Sequence, residues 1–245
     1  MKALAAAALL VLLAGCGSAQ GSTAADPLLV AAAADLLPAF RELGERYTEQ
    51  TGRPVTFTFG SSGQLAQQLA NGAPYELFAS ADVRYVDQVL AAGRGEASTK
   101  AEYALGRLAV WSRDAPVALD QLAEPRFGRI ALANPEHAPY GRAAEQALRS
   151  AGALDPDRLV FGENVTDTLR LATSGNADVA VVALSVARTA GGHVTPVPAA
   201  AHEPLRQALV VTGRPDAAAP FAELVTSHEG RAVLARHGFA PPQGS

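Results

Sequence analysis

The sequence has little of what several classes of protein require. It has one cysteine in 245 residues, so no disulfide can form within the chain. Its 20 lysines and arginines are outnumbered by 24 aspartates and glutamates, and this acidic balance speaks against nucleic acid as a partner. Beyond the N-terminus no apolar run approaches the roughly 20 residues that a membrane-spanning helix needs. With 49% hydrophobic and 18% charged residues, the chain has the composition of a globular protein with one large domain or two lobes.

The N-terminus has the pattern of an export signal. A short positive start precedes the apolar run 3–13, which has the length of the hydrophobic region of a secretory signal. The following Leu-Ala-Gly-Cys, which ends at Cys16, resembles the bacterial lipobox, whose cysteine becomes the lipidated first residue. A cleaved signal with an incidental cysteine is the alternative. We predict a lipoprotein-type signal peptide at 1–16 with Cys16 as the lipidation site, and a flexible tether at 17–26. The protein is then exported and anchored by lipid in the periplasm or at the outer face of the cytoplasmic membrane.

From residue 27 onward, short apolar runs alternate with amphipathic segments, which is typical of α/β architecture with mostly parallel strands. Asp35 is a suitable N-cap for the first helix. The pattern predicts strands at 28–34, 55–59, 77–79, 107–111, 129–133, 159–161, 179–183, 194–197 and 208–211. It predicts helices at 36–50, 63–71, 82–91, 140–151 and 165–173, a short helix after Ser185, and one C-terminal helix that contains Phe221 to Leu234.

Small or hydroxyl-bearing residues stand where several strands pass into helices. In parallel α/β sheets these junctions lie at the carboxyl ends of the strands, where ligands bind. A helix start offers an anion free backbone N–H groups and partial positive charge without any lysine or arginine. Ordinary capping is the alternative, because Ser61 with Gln64 fits a capping box. The junctions are Ala34-Asp35, Gly60-Ser61-Ser62-Gly63, Ser80-Ala81-Asp82 and Glu163-Asn164-Val165.

Six stretches in order resemble a known family over about residues 30 to 239. They are AAAADLLPAF, FGSSGQLAQQLANGAPYELFASAD, YALGRLAVW, IALANPEHAPYGRAAEQALRSAG, GENVTDTLRLATSGNADVAVVALS and EGRAVLARHGF. The set is similar to the periplasmic molybdate-binding proteins of ABC transporters. The resemblance implies a two-lobed type II periplasmic binding protein fold with the ligand cleft between the lobes. Lobe one would be 27–105 plus 203–245, and lobe two would be 106–202.

The resemblance also implies the ligand, its partners and its site. The ligand would be molybdate or tungstate, held only by neutral hydrogen-bond donors. The partners would be the permease and ATPase of an importer, and the protein would be a monomer without a cofactor. Molybdenum would be present only within the oxyanion, bound by Ser62 and Val165 among others. The implied site residues are Ala34, Asp35, Ser61, Ser62, Ser80 and Ala81 from lobe one, and Tyr140 and Val165 from lobe two.

Two positions depart from the family pattern. Asp35 stands where many relatives have serine or asparagine, and a carboxylate beside a dianion is repulsive. One hypothesis is that Asp35 turns away to cap the helix at Leu36 and offers only its backbone N–H. The other is that it accepts a proton from a protonated oxyanion such as phosphate. Ala183 stands where some relatives have a tyrosine, and Tyr140 is expected to supply that phenol.

Other functions remain as alternatives. Within the binding class, the ligand could instead be sulfate, phosphate or another small anion. A serine hydrolase is a distant alternative, because the segment around Ser62 is one residue short of G-x-S-x-G and none of the five histidines has a spacing that commits it to Ser62. No cluster has the spacing of metal ligands, and the export signal disfavours a regulator's effector domain. The sequence therefore predicts an exported oxyanion receptor and not an enzyme.

Overall fold

The computed structural model describes residues 25–242. The predicted signal segment 1–16 with Cys16, and residues 17–24 of the predicted tether, lie outside the described residues. The strands are β1 Leu28–Ala33, β2 Val55–Gly60, β3 Leu77–Ser80, β4 Ala101–Gly106, β5 Leu108–Ser112, β6 Ile130–Ala133, β7 Leu159–Gly162, β8 Val179–Ala183, β9 His193–Pro196 and β10 Leu205–Val211. The α-helices are α1 Leu37–Thr51, α2 Ser62–Ala70, α3 Val83–Ala91, α4 Pro139–Ser150, α5 Val165–Thr173, α6 Leu184–Ala187, α7 Pro215–Thr226 and α8 His228–Arg236. None of the helices within 25–242 is both long and apolar enough to cross a membrane.

The strands form two separate five-stranded sheets. The first has the order β2-β1-β3-β10-β4, and the second has the order β7-β6-β8-β5-β9. Within each sheet the pairs around the inner strands β1 and β6 are parallel, whereas β10 and β5 pair antiparallel with both neighbours. The predicted α/β class is confirmed. The prediction of mostly parallel strands is wrong, because β5 and β10, the first strand after each crossing, run against the other strands of their sheets.

The chain passes between the two sheets twice. Only Arg107 separates β4 of the first sheet from β5 of the second, and residues 197–204 join β9 back to β10. The first sheet therefore uses the two ends of the described chain, and the second sheet uses its middle. That these parts form two lobes, 27–105 plus 203–245 and 106–202, stays a prediction.

Three elements differ from the sequence prediction. Strand β4 was not predicted, and it pairs with β10, which is about a hundred residues further along the chain. A 3-10 turn over Ala34–Leu36 precedes α1, so the first strand is shorter than expected. The predicted C-terminal helix is two helices, α7 and α8, and Ser227 caps the second by accepting a hydrogen bond from the backbone N–H of Gly230.

The two sheets are packed differently. Against the first sheet, Phe40 and Tyr47 of α1 pack edge-to-face on Phe221 of α7, with ring centroids 5.6 and 5.5 Å apart. On the second sheet the buried residues of α4 and α5 are mostly alanine and other small or aliphatic residues, and every residue of β8 is buried. This packing fixes the strands, and the carboxyl ends of β1, β2 and β6 are thereby held in place where the next helices begin.

Candidate functional site

A cavity lies between the two sheets, at the strand-to-helix junctions. Seven of the eight predicted site residues line it, and the exception is Ser80. The Ser80 hydroxyl is used inside its own turn, where it donates to the carbonyl of Asp82 and accepts from the Asp82 N–H. The lining is made of neutral side chains and one carboxylate, without lysine, arginine or histidine. It comprises Ala33, Ala34, Asp35, Gly60, Ser61, Ser62, Ala81, Ala138, Pro139, Tyr140, Asn164 and Val165.

The side chains of Ser61 and Gln64 at the start of α2 contact elements of the second sheet and do not cap the helix. Ser61 is the N-cap residue, but its side chain makes no capping bond. Its hydroxyl lies 2.7 Å from Nδ1 of His137, and Gln64 donates its side-chain amide to Glu163 at 2.7 Å. The capping-box alternative for Ser61 and Gln64 is therefore wrong, because both side chains have partners on the other side of the cavity.

Two helix starts leave their first backbone N–H groups to the cavity. Ser62 is fully buried, and its hydroxyl oxygen accepts the N–H of Ala81 at 3.0 Å, so its own hydroxyl hydrogen is available to another acceptor. Asn164 caps α5 by accepting from the N–H groups of Thr166 and Asp167. In the described part of the chain the N–H groups of Ser62 and Val165 have no hydrogen-bond partner. Such N–H groups are the donors that an anion needs.

The Asp35 side chain is buried, and its one side-chain hydrogen bond among the described residues is to Gln207 of β10. Its side chain makes no capping bond, because the 3-10 turn begins one residue earlier and places Asp35 inside the turn. One carboxylate oxygen, Oδ2, accepts from the side-chain amide of Gln207 at 2.5 Å. The other, Oδ1, is buried and has no hydrogen-bond partner among residues 25–242. The hypothesis that Asp35 caps the helix at Leu36 is therefore wrong.

The surroundings of Asp35 disfavour its charge. The residue is 1% exposed, and this burial raises the pKa of its carboxyl from 3.8 to about 6, against the opposing effect of Gln207 and of the nearby Tyr140 hydroxyl. The Gln207 amide is oriented by Tyr103, whose hydroxyl donates to its oxygen at 3.0 Å. The amide nitrogen is left to face both Asp35 and Tyr140.

Tyr140 lies in the first turn of α4 and reaches the same group of side chains. Its hydroxyl oxygen accepts from the Gln207 amide at 3.2 Å, so its hydrogen can be donated to the nearby Asp35 carboxyl or to a ligand. Burial raises the pKa of the Tyr140 phenol well above its usual value, which keeps it a donor. Gly106 leaves room for it, because a Cβ at that position would collide with the Tyr140 hydroxyl. That Tyr140 replaces the phenol missing at Ala183 stays a prediction.

Further contacts join the two sides around the cavity. Arg142 of α4 donates to Asp82 at 2.9 Å and to the Tyr85 hydroxyl at 2.9 Å. The N–H of Gly63 donates to the carbonyl of His137 at 2.9 Å, and a side chain in place of Gly63 would collide with that carbonyl. Each of these contacts joins an element of the first sheet to an element of the second. Together they hold the two sides of the cavity against each other.

The contact between Ser61 and His137 was missed by sequence reasoning, which looked only for a partner of Ser62. It has the components of a catalytic pair, but the ring is not oriented by an acid. The His137 Nε2 lies 3.8 Å from Glu163, beyond hydrogen-bond reach, and the Glu163 side chain is 67% exposed. The arrangement lacks the third group that a preorganised nucleophile needs. Among residues 25–242 no three His, Cys, Asp or Glu side chains are grouped to hold a metal ion.

Comparison with known proteins agrees with this geometry. The profile of the family described as bacterial extracellular solute-binding protein matches residues 28–240. The chain belongs to this family. It is 34% identical to the molybdate-binding protein ModA of Rhodobacter capsulatus over 226 residues, which cover 88% of this chain and 89% of that protein. It is 30% identical to the ModA protein of Azotobacter vinelandii, with 94% of this chain and 96% of that protein covered.

Solved structures of solute-binding proteins share the fold. The periplasmic molybdate-binding protein of Azotobacter vinelandii superimposes with a TM-score of 0.82 and 31% identity, covering 88% of this chain and all of that one. The predicted periplasmic binding protein fold is confirmed. The sulfate-binding protein SubI of Mycobacterium tuberculosis superimposes with a TM-score of 0.75 at 16% identity, which shows the fold alone. These relatives are binding proteins, in agreement with a function in binding and not in catalysis.

Proposed function

We propose that this protein captures molybdate outside the cytoplasm and delivers it to an ABC importer. The observation that carries the proposal is the cavity itself. The starts of α2 and α5, one from each sheet, present the N–H groups of Ser62 and Val165 to one space, and within residues 25–242 these groups have no partner and no cationic side chain lines the space. Such a site suits a small anion that is held and released without a permanent ion pair.

The relatives support molybdate as the anion. Proteins at 34% and 30% identity, matched over nearly their whole length, are molybdate-binding proteins. Hydrogen bonds to a charged group contribute about 1.5–3 kcal/mol each. Five or six such donors offset the cost of ordering and desolvation and leave roughly −8 kcal/mol, or micromolar affinity. The donors would come from Ala34, Asp35, Ser61, Ser62, Tyr140 and Val165, because the N–H of Ala81 is already bonded to the Ser62 hydroxyl, with tungstate as a second ligand and no resident cofactor.

Closure of two lobes would complete the site. In this proposal the lobes are 27–105 plus 203–245 and 106–202, and they hinge at the two crossings between the sheets. The lipobox-like sequence at Cys16 supports export and a lipid anchor on the outer side of the membrane. A monomer held there would present the loaded site to the permease, with the ATPase on the inner side.

A second candidate is a receptor for an oxyanion that carries its own proton, such as monohydrogen phosphate. The unpartnered Oδ1 of Asp35 favours it, since a carboxylate can accept that proton. Molybdate, which is fully ionised at neutral pH, would bring none. The same measurement separates the two candidates.

Thermal unfolding of the protein from residue 25 onward, with molybdate, tungstate, sulfate or phosphate, tests the proposal. Ligand at about 1,000 times Kd adds about 4 kcal/mol of stability. For a chain of this size that raises the melting temperature by about 8–16 °C. A rise with molybdate and tungstate alone supports the proposal, and a comparable rise with sulfate or phosphate would remove the molybdate specificity.

A matched pair of serine variants locates the binding site. Ser62→Ala removes one donor to the anion and should weaken molybdate binding about 10- to 100-fold. Ser98→Ala makes the same change at an exposed position and should leave binding unchanged. Equal affinities in the two variants would show that molybdate binds elsewhere. Ester hydrolysis by the wild type that Ser61→Ala abolishes would instead favour the hydrolase.

A further inference from the structure

Among residues 25–242, Asp35 is the one charged side chain that lines the cavity, and no cationic side chain lies beside it there. It is 1% exposed, Oδ2 has only the neutral amide of Gln207 as its partner, and Oδ1 has none among residues 25–242. Buried polar atoms are satisfied in the great majority of cases, so an unsatisfied one in a cavity calls for a partner that is not part of the chain. For a carboxylate oxygen that partner is a hydrogen.

We propose that the site binds its oxyanion together with one proton, which lies between the Asp35 carboxyl and an oxygen of the ligand. The inference rests on the proposed function and refines its ligand. The proton comes from solvent when the ligand is a full dianion, or arrives on the ligand when the ligand is protonated. In either case the Asp35 carboxyl and the anion together carry two negative charges in the closed site and not three.

The groups around Asp35 offer no other neutralisation. Tyr140 of α4 and Tyr103 of β4 are the titratable groups that face it, and burial raises the pKa of both phenols well above the usual value. Both therefore stay neutral. Gln207 of β10 and Ser185 of α6, which donates its hydroxyl to the Asp35 carbonyl at 2.7 Å, are uncharged. No cation of the described chain lines the cavity, so a proton is the positive charge that remains to reduce the repulsion between two buried anions.

A single titratable site gives a definite pH dependence. The pKa of the Asp35 carboxyl is raised to about 6 by burial, so the carboxyl is mostly ionised in the empty protein at pH 7 to 8. Molybdate binding then requires the uptake of one proton, and linkage makes Kd rise about tenfold for each pH unit in that range. Serine or asparagine at this position would donate a hydrogen bond without any proton uptake.

Isothermal titration calorimetry with molybdate tests the inference, at several pH values from 6.5 to 8.5 and in two buffers of different ionisation enthalpy. We expect a tenfold loss of affinity per pH unit and uptake of close to one proton at pH 8 for the wild type. Asp35→Asn and Asp35→Ser should show neither effect. Asp114→Asn, the same substitution at an exposed position, should behave as the wild type. Any change in the protonation of molybdate itself affects all the variants alike.

Two results would overturn the inference. The first is wild-type binding that is independent of pH and takes up no proton, which would leave the molybdate function intact. The second is the same pH dependence in Asp35→Asn as in the wild type, because another group would then carry the proton. Absence of molybdate binding by the wild type at every pH would contradict the proposed function itself. Melting curves without ligand establish that each variant is folded.

Discussion

Asp35 and Asp82 occupy equivalent places in the fold and have opposite surroundings. Each follows a strand of the first sheet and precedes a helix, and each is buried, at 1% and 8% exposure. Asp82 caps α3 by accepting from the N–H of Arg84, and the guanidinium groups of Arg84 and Arg142 reach it at 2.7 and 2.9 Å. Asp35 makes no capping bond, and the side chains it meets, the Gln207 amide and the Tyr140 hydroxyl, are uncharged.

The difference in partners reverses the direction of the pKa shift. Burial acts on both carboxyls to raise the pKa. At Asp82 the hydrogen bonds and charges of Arg84 and Arg142 outweigh burial, and the pKa lies below its usual value. At Asp35 no cation opposes burial, and the pKa is raised to about 6. A carboxylate that the fold has paired is part of the structure, whereas one that the fold has left unpaired is available to a ligand.

The largest expected effect comes from removing the paired carboxylate. Asp82→Ala deletes the cap of α3 and leaves two arginines without their shared partner. We expect a loss of about 2–4 kcal/mol in the free energy of unfolding, measured by urea denaturation at pH 7. Asp114→Ala, on the exposed surface, is the control and should change it by less than about 0.5 kcal/mol. A loss at Asp82 no greater than at Asp114 would mean that its ion pairs are not structural.

The unpaired carboxylate should have the opposite effect. The pKa of the Asp35 carboxyl is 3.8 in the unfolded chain and about 6 in the folded protein. The unfolded state therefore binds fewer protons between these values, and the free energy of unfolding falls as pH rises from about 4 to 6 and is level above. Asp35→Asn should raise the free energy of unfolding of the empty protein at pH 8 by about 2–3 kcal/mol, because about two pKa units are removed. Near pH 4 the gain should vanish.

Urea denaturation of the wild type and Asp35→Asn at pH 4 and pH 8 measures this difference. Asp82 should show the opposite pH dependence. Its contribution to the free energy of unfolding is present above its unfolded pKa and is lost as pH falls through its lower folded pKa. The variants at the two positions should thus differ from the wild type in opposite directions at pH 8. A less stable Asp35→Asn at pH 8 would contradict the prediction, because it would show that the ionised carboxylate stabilises the folded protein.

This pair of residues also shows where sequence reasoning reaches its limit. The junctions after the strands were predicted, because small residues and caps are local signals. The roles of the two aspartates were not separated, because Asp35 meets Gln207 and Tyr140, which lie 172 and 105 positions away along the chain. Asp35 was predicted to be a helix cap and is not one, whereas Asp82, for which no cap was predicted, caps α3.

The same limit explains the missed elements. The segment of β4, AEYALG, has no strict alternation, and its strand conformation depends on pairing with the distant β10. The break between α7 and α8 did have a local signal, because Ser227 is a good N-cap within an otherwise helical pattern. The contact of His137 with Ser61 joins the two sheets, and no spacing within one segment could have indicated it.

A substitution of Arg142 separates two roles of Asp82, which caps α3 and also bonds to α4 across the two sheets. Arg142→Met removes the bond from α4 to Asp82 but leaves Arg84 and the capped N–H in place. We expect the free energy of unfolding to change by less than about 1 kcal/mol. Molybdate affinity, measured by calorimetry, should fall about tenfold, because two hydrogen bonds that join the two sides are lost. Arg149→Met, an exposed change on the same helix, is the control. An unchanged affinity would mean that this ion pair does not assist closure.

The smallest effect is expected at the exposed edge of the same interface. Gln64 donates to Glu163 from α2 at 2.7 Å, and this bond is open to solvent, unlike those of Asp35 and Asp82. Water replaces such a partner at little cost, so Gln64→Ala should reduce molybdate affinity only two- to threefold, or about 0.5 kcal/mol. A loss as large as that of Arg142→Met would place the main closing contacts at the rim and not beside the buried carboxylates. A larger loss of molybdate affinity in Arg142→Met than in Gln64→Ala would therefore indicate that burial sets the strength of the contacts between the two sides.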